Sequence, residues 1–219
     1  WQNEHLHTEA DVFVNDVTHY VYQHAVLNAQ GMDSAVNEYP LFHAVQGHAV
    51  LRGGEWTCDW HPHPLDWLHW QNSFSYVRAT QTGVPDSMRN LPLIPPAKWR
   101  TELRMVLKSW MKGTGRNAYL KVEMEKYVAQ NKFYAAYHTE TATAGYWLFH
   151  AGAGSDIYLH KRKTASLFLQ VNNIGNTAYI SHLSRLKYEG YNPLTGKTGI
   201  YNMGRTVSLK VLIPFVCKS

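Results

Sequence analysis

The sequence predicts an all-β chain, an antiparallel sheet of nine strands built to cross a membrane as part of a β-barrel. Three observations predict it. Apolar and polar residues alternate with period 2 through most of the 219 residues, while 3.6-residue periodicity is nearly absent. Short and long connections alternate between the strands, as in outer-membrane barrels, whose turns are short on the periplasmic side and long outside. Several strands carry a base at the same end of their apolar face.

The elements follow in order. His5 to Asn15 and His19 to Val26 read as two strands joined by a short turn at Asn15 to Thr18, the second of them, around Tyr20 and Tyr22, alternating weakly. Leu41 to Trp60 reads as one long strand whose apolar parity slips from Ala49 and Leu51 to Trp56, Cys58 and Trp60. The slip falls at Gly53-Gly54, where a β-bulge would account for it. Leu68 to Ala79 sets Leu68, Trp70, Phe74 and Tyr76 against His69, Gln71, Ser73 and Ser75, with Asn72 the misfit on the apolar side. Lys98 to Ser109 sets Trp99, Thr101, Leu103, Met105 and Leu107 against Arg100, Glu102 and Arg104; Ala118 to Val128 sets Leu120, Val122 and Met124 against Lys121, Glu123 and Glu125. Tyr146 to His160, Thr164 to Asn173 and Tyr201 to Phe215 complete the set. Pro62 to Asp66, Trp110 to Asn117 and Lys161 to Lys163 are short connections. Leu27 to Pro40, Gln81 to Ala97, Tyr134 to Gly145 and Gly175 to Gly199 are long ones.

Alternation alone suits either a soluble sandwich or a lipid-facing sheet. Strand length discriminates. A tilted strand crosses a bilayer in about 9 to 11 residues, and the apolar face from Arg205 to Phe215 (Val207, Leu209, Val211, Ile213, Phe215) would climb about 26 Å at a tilt near 40°. Arg78, Lys126 and Arg205 then stand outward at the long-loop rim, where anionic headgroups accept them, and Phe215 marks the opposite rim. Arg100, Glu102, Arg104, Lys121, Glu123, Glu125 and Lys210 would line a polar lumen.

The formal charge of +5 is spread along the chain with no helix-turn-helix, zinc-finger or RNP pattern, so nucleic acid is not an expected partner. No apolar run is long enough for a membrane-spanning helix. Eight Trp and fourteen Tyr suit strands and interfacial belts. The chain opens on Trp1 with no charged-then-apolar leader, so any signal peptide is expected to have been removed or to lie outside these residues. Cys58 and Cys217, placed near a rim on well-separated strands, are not expected to pair. No Gly-rich phosphate loop, nucleophile elbow or set-apart carboxylate pair points to an enzyme.

Four stretches carry a resemblance: LRGGEWTCDWHP (Leu51 to Pro62) with LHWQNSFSYVRA after it, NLPLIPPAKWRTELR (Asn90 to Arg104), LFLQVNNIGNTAY (Leu167 to Tyr179) and NMGRTVSLKVLIPF (Asn202 to Phe215). In this order, they resemble the C-terminal barrel of TonB-dependent outer-membrane receptors, particularly those of Bacteroides-like bacteria. The resemblance spans the chain. It implies that residues 1–219 are the last nine or so strands of a barrel of about 22, around a plug that lies outside this chain. It also implies outer-membrane localisation, energisation by the TonB complex, and import of a ferric siderophore, haem, cobalamin or glycan. An iron complex is the favoured cargo. The family typically ends on an aromatic residue, whereas Val216-Cys217-Lys218-Ser219 follow Phe215 here.

Candidate ligand residues lie in the long loops: Tyr137 and His138 in YAAYHTETATAGY, and His182, Arg185 and Tyr188 in AYISHLSRLKYEGY, with Lys187 and Tyr191 beside them. Imidazole and phenolate serve haem, and the bases serve an anionic siderophore. Cys58, His61, His63 and His69 have the residue types of a metal cluster. Cys58 and His69 fall on opposite faces of their strands, however, so the group reads as a His-rich turn without a metal. No resident cofactor is expected. The competing reading is a soluble all-β binding module, which would stay monodisperse in plain buffer.

Overall fold

The computed structural model describes residues 1, 3–26, 28, 30, 34–36, 39–136, 140–194 and 196–215, and for residues 39, 40 and 112 the backbone alone. The strands are β1 (Leu6–Ala25), β2 (Ala35–Val36), β3 (Tyr39–Pro40), β4 (Phe42–Trp60), β5 (Leu68–Thr82), β6 (Lys98–Trp110), β7 (Gly115–Tyr127), β8 (Tyr146–Leu159), β9 (Arg162–Asn172), β10 (Tyr191–Asn192), β11 (Lys197–Thr198) and β12 (Thr206–Leu212). Eight of them form one sheet in the order β1-β4-β5-β6-β7-β8-β9-β12, every neighbour antiparallel. The pairs β2-β3 and β10-β11 are small hairpins within two of the long connections.

The fold class is the expected one, with three corrections of detail. First, the two strands expected before residue 27 are a single strand, so the sheet has eight strands rather than nine. Asn15 to Thr18 is no turn: β1 runs through it with a register shift between Val17, opposite Ala49, and Tyr20, opposite Gly47. The extra residue flips the parity of β1, as a bulge must. Val12 and Val14 are exposed on one side of the shift, and Val21 takes over that face beyond it. This flip explains the weak alternation around Tyr20 and Tyr22.

Second, no bulge lies at Gly53-Gly54, since β4 pairs with β5 residue for residue from His48 to Trp60. Ala49 and Leu51 really do face the opposite way from Trp56 and Trp60. They contact Ala79, Leu91, Ile94 and Tyr20, a small core beneath the β5–β6 connection. A second core joins Met88, Tyr134 and Ala136 to Tyr22 and Val84. Apolar residues at this upper end of the polar face thus lie where a long loop covers it. Gly53 is needed for a close approach, because a Cβ there would overlap the Tyr76 carbonyl oxygen and the Phe13 ring.

Third, β12 spans only Thr206–Leu212, leaving Arg205 one residue before it and Ile213 to Phe215 beyond it. Pro214 cannot donate to a ladder, and its ring restricts Ile213.

Register makes the two faces continuous across the strands. One row runs Leu6, Trp60, Trp70, Leu103, Val122, Ala151, Val171, Val207; the next runs Leu68, Met105, Leu120, Ala153, Leu169, Leu209. The misfit Asn72 belongs to a row with Thr8, Cys58 and Thr101 on this same apolar face. Indole nitrogens help to satisfy that row: Trp70 Nε1 donates to Thr101 Oγ1 at 2.8 Å and Trp56 Nε1 to Thr8 Oγ1 at 3.1 Å. Cys58 is free, and Cys217 lies outside the described residues.

Candidate functional site

The faces differ in what they bury. On the apolar face Val207 is 66% and Leu209 71% exposed, whereas on the other Glu102 is 4% exposed. A buried carboxylate needs compensating charge, and β6 and β7 supply it by cross-strand pairing. Arg100 reaches Glu123 at 2.7 Å and Glu102 at 2.8 Å, Lys121 reaches Glu102 at 3.0 Å and Glu123 at 3.5 Å, and Lys98 reaches Glu125 at 2.6 Å. Alternation puts the charged residues of both strands on one face; register sets Glu102 opposite Glu123, so each carboxylate meets its cations on the diagonal or two residues along its own strand.

The long connections close over the upper end of this polar face, and one carboxylate ties three of them together. Glu140, in the β7–β8 connection, accepts from the Leu93 amide of the β5–β6 connection at 3.0 Å and from the Tyr134 amide at 2.8 Å. Its Oε1 also lies 3.2 Å from Nε2 of His182, in the β9–β12 connection. That approach is an ion-pair distance without hydrogen-bond alignment. His182 Nδ1 lies 2.8 Å from Thr143 Oγ1 and 3.5 Å from Lys187 Nζ, which donates to the His182 carbonyl at 3.0 Å. Burial, and then the charge of Lys187, hold the imidazole below its ordinary value, against the pull of Glu140.

Beside this hub is a cleft of about 300 Å³ lined by Thr143, Tyr146, Tyr179, Ile180, Lys187 and Tyr201. Tyr127, Tyr146 and Tyr179 form a run of rings with centroids 4.6 and 4.5 Å apart. Burial raises the Tyr179 phenol above its usual range, keeping it protonated as a donor at neutral pH. An aromatic wall with one ammonium suits a flat or anionic ligand.

The expected ligand residues separate in space. Tyr137 and His138 lie outside the described residues. His182 is 1% exposed and serves the loop hub, leaving no free face for a ligand. Arg185 and Tyr188 are exposed on the short 3₁₀ turn Arg185–Tyr188, and Lys187 lies between them at the cleft. Glu140, Tyr146 and Tyr179 were missed as site residues. Tyr146 and Tyr179 had a usable signal in their position at the mouths of long loops; Glu140 had none.

Arg78 continues the apolar-face parity of β5 beside Arg52 of β4, Lys126 lies 4.7 Å above the Trp147 ring, and Arg205 is exposed. At the turn end, Cys58 and His69 do lie on opposite faces. Yet Asp59, His61 and His69 bring a ligand atom each within 4.8 Å of one another, and His5, His63 and Asp66 do the same. Asp59 and His5 were not among the residues singled out. Asp59 could have been, since its odd position in β4 puts it on the face of His69.

A two-faced antiparallel sheet with long loops gathered at one end defines a segment of a large membrane-type β-barrel. The chain belongs to the TonB-dependent receptor family: the family model described as TonB dependent receptor-like, beta-barrel, matches residues 1–174. No curated protein sequence matches it. Among solved structures it is similar to the copper transporter OprC, with TM-score 0.75 and 18% identity over 98% of this chain and 30% of that one. It is similar to the FrpB iron transporter from Neisseria meningitidis (F3-3 variant), with TM-score 0.65 and 13% identity over 96% and 28%. It is also similar to BauA, the ferric preacinetobactin receptor from Acinetobacter baumannii, with TM-score 0.60 and 16% identity over 94% and 27%. The chain thus spans less than a third of the length of these structures. Members of the family are outer-membrane transporters and not enzymes.

Proposed function

We propose that this chain is the C-terminal part of the barrel of an outer-membrane active-transport receptor, which binds and imports an iron complex such as a ferric siderophore or haem. It carries out no chemical step of its own. Further barrel strands and a plug, from the same receptor, complete it, and the TonB complex energises it. The observation that carries this reading is the sheet itself, in which one apolar row runs across all eight strands while the ion pairs of β6 and β7 lie on the opposite face. Lipid satisfies the first face and a water-filled lumen the second. Among the described residues, β1 and β12 each keep one unpaired edge, which further strands would close.

The bases support the membrane placement. Strands about 4.8 Å apart and tilted near 40° must step about 4 Å along their length per neighbour to stay at one height, or about 20 Å across the five steps from β5 to β12. In register, Arg205 lies two residues above the row that ends at Val207, Lys126 four and Arg78 eight. The outermost pair is offset by six residues, about 20 Å, with Lys126 between. Arg78, Lys126 and Arg205 therefore fit one headgroup level. Phe215 then stands near the periplasmic rim.

The cleft at Tyr146, Tyr179, Lys187 and Tyr201, with Arg185 and Tyr188 outside it and Tyr137 and His138 in the adjoining loop, is the capture surface in this reading. The test is growth of a strain deleted for the receptor on defined iron sources. Loss of growth on one ferric siderophore or on haem, restored by the receptor, is the expected result. Unchanged uptake of both, with a defect on cobalamin or a glycan, would remove iron as the cargo.

A further inference from the structure

We propose that Asp59, His61 and His69 form a binding site for a first-row divalent cation at the turn end of the polar face, opposite the ligand-capturing loops. Three elements of the fold bring these residues together. Asp59 is the penultimate residue of β4, His61 follows the strand directly, and His69 is the second residue of β5. Asp59 pairs with Gln71, so Asp59 and His69 share a face one step apart. The amide of His61 is held by the His5 carbonyl at 2.7 Å, which fixes the start of the turn.

Two of the three donor separations already stand close to the spacing a metal imposes, and all three donor atoms lie within 4.8 Å of one another. His69 Nδ1 is 3.0 Å from His61 Nε2, and His61 Nε2 is 3.0 Å from Asp59 Oδ1. Two ligands at about 2.0–2.1 Å from a tetrahedral zinc ion are about 3.3 Å apart. The imidazole rings cross edge to face, their centroids 4.1 Å apart, so their nitrogens converge while their planes stay apart. Asp59 Oδ2 accepts from Gln71 Nε2 at 3.1 Å, the outer contact that orients a ligating carboxylate. Asp59 Oδ1 is buried without a hydrogen-bond partner. An acceptor oxygen so placed carries a desolvation cost that a cation would offset.

The surrounding charge permits it. Arg104 is the residue in register with His69, but its guanidinium lies 4.1 Å over the Tyr119 ring of β7. Two imidazoles and one carboxylate, with a coordination position open, form a donor set for Zn²⁺ or its first-row neighbours rather than for Ca²⁺ or Mg²⁺. Cys58 takes no part, because it faces the other way. The neighbouring group His5, His63 and Asp66 is more exposed, with His63 Nδ1 3.5 Å from Asp66 Oδ1, and is the control.

The test is calorimetric titration of Zn²⁺ into the detergent-solubilised, untagged receptor that carries this chain. One saturable equivalent is expected, weakened at least tenfold in both Asp59→Asn and His69→Gln and unchanged in Cys58→Ser and His63→Gln. A circular-dichroism β signal equal to wild type qualifies each variant, and His61→Gln, which sits outside the strand, replaces one that fails to fold. No saturable binding, binding that survives His69→Gln, or binding lost instead in His63→Gln overturns the proposal. None of these outcomes depends on which cargo the receptor imports.

Discussion

His182 illustrates how a residue can have the right chemistry for one role and the right surroundings for another. An imidazole in a long outer loop is a reasonable ligand for an iron complex. Packed against Glu140, Thr143 and Lys187 it instead holds loops together. Because burial lowers its protonation point below the ordinary 6.5, the undocked loop takes up a proton at a higher pH than the docked one. The docked state is therefore fully favoured above about pH 6.5 and loses stability as the pH falls below it. The protection factors of the Tyr134 and Leu93 amides, which donate to Glu140, should fall between pH 7 and 5, although intrinsic exchange slows over that range. Protection that stays constant or rises on acidification would contradict this assignment.

At the scale of elements, the long connections are as structured as the strands they join. Glu140 accepts one amide from the β5–β6 connection and one from its own, while meeting His182 from the β9–β12 connection. Glu140→Ala would leave two amides without acceptors, at about 1–3 kcal/mol each. The loss should appear as cleavage by added protease between residues 83 and 205, with the sheet's circular dichroism unchanged. The same scale exposes where local reading of the sequence misled. The parity slip in β4 points to a bulge at Gly53-Gly54, and the weak pattern around Tyr20 and Tyr22 reads as a second strand after a turn at Asn15 to Thr18. In β1 the irregularity is a bulge at Val17/Tyr20. In β4 there is none, and Ala49 and Leu51 face inward because Leu91 and Ile94 cover them. Alternation cannot distinguish a strand that changes phase from a face that changes environment.

The molecule as a whole is an incomplete sheet with one wet and one greasy side, and the two sides make opposite demands. A charge placed on the apolar face at mid-height meets hydrocarbon, while a charge on the other meets water and other charges. Leu209→Arg should destabilise the refolded receptor in lipid by about 2–4 kcal/mol. Lys210→Glu, one residue away on the other face, should change stability by less than about 1 kcal/mol. Urea titration of refolding into bilayers measures both. Equal effects at the two positions would return the sheet to a soluble packing. The offset of Arg78, Lys126 and Arg205 along their strands is a second property of this scale, because it acquires meaning only once register and tilt are known.

The sequence by itself determined the all-β class, the faces of most strands, the alternation of turns and loops, and the opposition of Cys58 to His69. These follow from the period-2 geometry of a strand, in which neighbours along the chain decide which way a side chain points. The family was legible for a related reason, since its motifs are contiguous runs. Tertiary structure alone decided that Asp59 meets His61 and His69 across a turn, that Glu140 gathers three loops, and that His182 is buried rather than available. Those contacts join residues brought close by strand register and loop closure, and neither is written in the local pattern.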